Sequence, residues 1–209
     1  MMRFICTVLF LIFGVTAYAS PNPPGYLTFG DRENRDSLCS FVFANSRWLN
    51  DEILNRRLDS LIEKSQFSLP TYVLLCVVNV DNGTAQITSI KGIHRTYVIG
   101  IRKSFLRLLQ KDRHHLAGAL FGHELAHIKL REYEICTAPS KDLTLCDAEA
   151  DIQAALLVES KHVIRLLNLS KHFFYEDFKD DPEKLKLAEA SVSYRIISLQ
   201  LQSVYNPNR

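Results

Sequence analysis

The chain has 209 residues, 47% of them hydrophobic and 23% charged, with a formal net charge of +2. That length suffices for one domain with its own core, and that composition excludes a disordered or fibrous chain. Acidic and basic residues are interspersed, so the sequence carries neither a basic stripe for nucleic acid nor a polybasic patch for membranes.

The first residues are different in kind. Arg3 precedes an apolar run over 4–15, and Ala17-Tyr18-Ala19 places small residues at the two positions a signal peptidase reads. Residues 1–19 are therefore predicted to be a signal peptide cleaved after Ala19, and the mature chain to be exported, periplasmic or secreted. No later stretch is long and apolar enough to span a bilayer, so no stable membrane insertion is expected after cleavage. Residues 20–45, rich at their start in Pro, Gly and charge, read as an extended leader. Residues 46–209 remain for a single folded domain.

From Ser46, Leu49, Ile53, Leu54, Leu58, Leu61 and Ile62 recur at helical spacing up to about Lys64. Leu69-Pro70 ends that helix, and residues 71–80 form a Val- and Leu-rich run that suits a buried strand. The turn Asp81-Asn82-Gly83 leads to a second strand over 85–90, and Lys91-Gly92 to a third over 95–101. Beyond them the pattern is helical, with segments near 103–110, 113–132, 146–160, 161–168 and 183–204, and Pro182 stands where the last can begin. The expected fold class is α+β: a small three-stranded sheet plus helices.

Cys6 is expected to leave with the signal peptide, and Cys39, Cys76, Cys136 and Cys146 remain. An even number in an exported chain permits two disulfides in any of three connectivities, with Cys136–Cys146 favoured because it closes a short loop. Zinc binding by cysteines alone is disfavoured, since no C-x-x-C pair occurs.

Chemistry concentrates at His123-Glu124-Leu125-Ala126-His127, which has the form H-E-x-x-H. Asp112 is a candidate cap for a helix on which Leu116, Ala119, Leu120, His123, His127 and Leu130 share a face. Four residues rise about 6 Å, so both imidazoles can reach one zinc ion, while Glu124, rotated by about 100°, flanks the open position as general base. The following helix offers Asp147, Glu149 and Asp151. Asp147 and Asp151 share a face and Glu149 points nearly opposite; one of the pair can be the third ligand while the other accepts a ring N–H from a ligand histidine. His114 and His115 read as exposed first-turn residues, and His94, His162 and His172 have no partner spacing.

At these residues the chain resembles the gluzincin metallopeptidases, and among them the HtpX-like and CAAX-prenyl-protease-like group, over roughly residues 70–160. That group carries H-E-x-x-H on one helix and E-x-x-A-D on a later one. The match to Asp147-Ala148-Glu149-Ala150-Asp151 implies Asp147 as third zinc ligand, with Glu149 the alternative, and Asp151 as supporting acid. Asp147 is one methylene shorter than the group's glutamate, so its helix must approach the metal more closely. The group's downstream His-Pro has Asp181-Pro182 as its nearest counterpart here, which leaves the transition-state-assisting role to His162, to His172 or to neither. The resemblance implies a single zincin-like domain with one zinc ion per chain, acting as an endopeptidase on exported or envelope polypeptides. A strand at 85–90 beside the metal would hold the substrate backbone. The competing expectation is a zinc-binding pseudo-peptidase or partner-binding module without catalysis.

Overall fold

The computed structural model describes residues 32–78, 84–90, 95–132 and 143–205. The predicted signal peptide and leader residues 20–31, His94 and Cys136 lie outside them. Among the described residues the fold is α+β, with seven helices and a mixed four-stranded sheet. The strands are β1 (Arg47–Trp48), β2 (Tyr72–Val78), β3 (Ala85–Ser89) and β4 (Thr96–Arg102), in the order β1-β2-β4-β3. The expected three-stranded sheet is thus corrected by β1. This two-residue strand is too short for any alternation pattern to mark, and it pairs antiparallel with Val77 and Cys76 of β2. β2 runs parallel to β4, and β3 lies antiparallel to β4 at the edge.

The central strands β2 and β4 are buried on both faces, as the unbroken apolar run of β2 requires. Leu75, Val77, Ile87, Ile99 and Ile101 point into the main core, while Leu74, Cys76, Val78 and Val98 point into a smaller one. The smaller core is covered by α1 (Arg32–Val42), which corrects the extended reading of residues 32–42. Its charged sequence hides a short apolar edge of Leu38, Cys39 and Val42 that packs on the sheet. A Cys39–Cys76 disulfide fastens it there, and Asp36 accepts the Trp48 backbone N–H at 2.7 Å. Gly100 of β4 makes room for this layer, because a Cβ there would come within 2.8 Å of the Phe43 ring.

On the other face lie α2 (Glu52–Ser65), α3 (Lys103–Lys111), α4 (Leu116–Glu132), α5 (Leu143–Leu157), α6 (Ser160–Phe178) and α7 (Pro182–Tyr205). α2 begins six residues after the expected Ser46 cap, because Asp51 caps it by accepting the Leu54 N–H at 3.2 Å. Asp112 accepts the His115 N–H at 3.1 Å just ahead of α4 and pairs with Arg165 of α6. α6 continues ten residues beyond its expected end at 168. Arg102, at the end of β4, reaches it by gripping the buried Asp177 at 2.6 and 2.8 Å. Phe105 of α3 meets Phe173 of α6 edge-to-face at 5.3 Å in the core. At the centre of this layer α4 is buried on nearly every side, packed against α2, α5, α6 and β3. No helix of the described residues is long and apolar enough to cross a membrane.

Candidate metal centre

The site is assembled from α4, α5 and α7. His123 and His127, one turn apart on α4, bring their Nε2 atoms to 3.0 Å. Asp147 of α5 places Oδ1 3.3 Å from His127 Nε2. These three residues each offer a ligand atom within 4.8 Å of the others. A tetrahedral ion with bonds of about 2.0–2.1 Å would set its donor atoms about 3.3–3.4 Å apart, and the His123–His127 and His127–Asp147 spacings of 3.0 and 3.3 Å are near that. The group could hold a metal ion, and among the described residues it has three members.

The hydrogen bonding behind it fits the same use. His123 Nδ1 donates to Asp151 Oδ1 at 2.8 Å, since an ionised carboxylate can only accept, and in the neutral ring this makes Nε2, on the side of His127, the nitrogen with the free lone pair. Asp151 is fully buried. Glu149, by contrast, turns away and accepts from Gln153 one turn on, at 3.1 Å. α5 starts at Leu143, three residues before its expected beginning, so Asp147 is already helical and shares a face with Asp151. The shorter side chain is accommodated by close helix packing. Ala126, Leu130 and Ala150 form a small cluster between α4 and α5, and a Cβ on Gly122 would touch Ala154 at 3.4 Å.

Arg195 of α7 is the functional candidate that sequence reasoning missed. It is 8% exposed; Nε and Nη2 donate to the two oxygens of Asp151 at 2.6 and 3.0 Å, and Nη1 donates to Asp147 Oδ2 at 3.1 Å. Val192 and Leu199 on the same helix face are buried, so the available signal was an arginine inside an apolar stripe. Burial would raise the Asp147 carboxyl, but the hydrogen bond from His127 and the Arg195 charge hold it down to about 2. Burial would likewise raise Asp151, and its bonds to His123 and Arg195 reverse the direction. For His123 burial alone would lower the imidazole, yet the neighbouring Asp151 carboxylate raises it overall.

Glu124 is 5% exposed and lines a cleft of about 360 Å³ together with the three metal-binding candidates and Arg195. The cleft is walled by β3 residues 84–87 and by Leu120, Leu166, Leu167 and Phe174. Neither His162 nor His172 is among its lining residues. His162 stacks on His115 at 4.2 Å, and His172 is exposed. Asp181, at the expected His-Pro position, caps α7 by accepting the Lys184 N–H at 3.2 Å. Cys146, next to Asp147, is disulfide-bonded, while Cys136 of the favoured pair lies outside the described residues. Comparison with models of known protein families, with curated proteins and with solved structures finds no match.

Proposed function

We propose that the chain is a zinc-dependent endopeptidase acting on exported or envelope polypeptides. The observation that carries this reading is the meeting of His123, His127 and Asp147 in one cleft, with Glu124 beside them. Two imidazoles and one carboxylate suit zinc. A structural zinc site is closed by four protein ligands, whereas three leave a position open, and three are found among the described residues. A zinc ion bound there supplies Lewis acidity to a carbonyl oxygen and to water.

The remaining steps fall to the chain's own groups. Glu124 takes a proton from the attacking water and returns it to the departing amine, which requires no covalent intermediate. Asp151 holds His123 in one tautomer and orientation through its ring N–H. β3, at the open edge of the sheet and along the cleft wall, pairs with an extended substrate backbone. Leu120, Leu166 and Phe174 exclude water from around the reacting carbonyl.

The Glu124→Gln variant tests the assignment. Zinc content and thermal midpoint are expected to equal those of the parent, while hydrolysis of an unfolded polypeptide such as casein falls by about 10²–10⁴-fold. Cleavage at the parent rate overturns Glu124 as base. Absence of cleavage by a fully zinc-loaded parent over a broad peptide library favours the non-catalytic binding module instead.

A further inference from the structure

We propose that Arg195 is a positioning residue that restricts Asp147 to ligation through a single oxygen and so keeps a coordination position free for water. This rests on the metal reading above. The two oxygens of Asp147 are divided between neighbours: Oδ1 lies 3.3 Å from His127 Nε2, and Oδ2 accepts from Arg195 Nη1 at 3.1 Å. An unrestrained aspartate can swing both oxygens onto a cation, and each added oxygen occupies a position that water would otherwise take.

The guanidinium prevents this because it is planar and its fork is already engaged. Nε and Nη2 grip both oxygens of the buried Asp151, which fixes the plane and the direction of Nη1. Asp151 is itself bonded to His123, so one rigid chain of contacts orients two of the three ligands. Burying a cation in the face of α7 formed by Val192 and Leu199 is costly unless it is paired, and Arg195 pairs with two acids of this site, Asp147 and Asp151. The formal charges of Asp147, Asp151 and Glu124 against Arg195 leave two negative charges, the complement of one divalent ion. Lysine has a single nitrogen and cannot span the two carboxylates in a fixed fork.

The test uses the full chain loaded with zinc or with cobalt. X-ray absorption of the zinc-loaded parent is expected to show four light-atom ligands, and its cobalt form the intense visible bands of four-coordination. In Arg195→Lys, metal stoichiometry should persist while the cobalt bands weaken as an extra oxygen enters, and kcat should fall about 10–100-fold with KM little changed. A purely structural role would lower the thermal midpoint and leave the cobalt spectrum as in the parent, which overturns the proposal. Five or more ligands in the zinc-loaded parent also overturn it, a result that holds even if the lysine variant does not fold. A folded parent that binds no metal removes the underlying site itself, and is distinguishable from either outcome.

Discussion

Aspartate at position 147 tests how one methylene is compensated. Asp147 Oδ1 stands 3.3 Å from His127 Nε2, while Glu149, two residues on, is bound to Gln153. Residues two apart on a helix project to nearly opposite sides, so only one of these acids can face α4. Asp147→Ala is therefore expected to weaken zinc binding by at least about 10-fold, whereas Glu149→Ala leaves it unchanged, as measured by competition with a chromogenic chelator. Equal losses in both variants would show that Asp147 is not the ligand. Much of this was legible because it is local: H-E-x-x-H fixes two side chains one turn apart, and Asp147 and Asp151 do the same on the next helix. Arg195 was not legible. Its role depends on a contact with Asp151 across 44 positions of sequence, and nothing near Arg195 encodes that contact.

At the scale of elements, strands and helices with strong periodicity stood out, and those made by tertiary contact did not. α1 carries Arg32, Glu33, Arg35 and Asp36 in its first turns and so resembles a solvated leader, yet the disulfide at Cys39 and the packing of Leu38 and Val42 hold it on the sheet. β1 exists only because β2 offers it an edge. The α3–α4 corner shows a cap acting in the same tertiary way. Asp112 lies below its ordinary pKa of 3.8: burial would raise it, but the backbone N–H groups of His115 and Leu116 and the charge of Arg165 outweigh burial. As pH falls, the unfolded chain takes up the proton first. Asp112 thus contributes its stability in full above about pH 4, and the contribution is lost as pH drops through its lower native value. Asp112→Asn lacks this term, so its urea midpoint should lie below the parent's at pH 6, and the gap should narrow as pH falls below about 4. A gap that stays constant with pH would contradict the assignment.

Over the whole molecule, two layers serve different ends. The smaller core under α1 is closed by a disulfide spanning 37 positions, a constraint of about 4 kcal/mol on the unfolded chain. The site lies on the opposite side of the sheet, where α4 is surrounded by α2, α5, α6 and β3, and where α7 returns to seal it with Arg195. A metal held by this group would therefore depend on the folded chain, since His123, Asp147 and Arg195 come from three helices. A ligand that binds only the native state must also stabilise it. The most direct measurement is a zinc titration of chelator-stripped protein, read by calorimetry and by thermal midpoint, for the parent and for His123→Ala and His127→Ala. One zinc per parent chain with a rise in midpoint, and neither effect in the two variants, is the expected result; a folded parent that takes up well under one equivalent, or histidine variants that bind as well as the parent, would contradict the account.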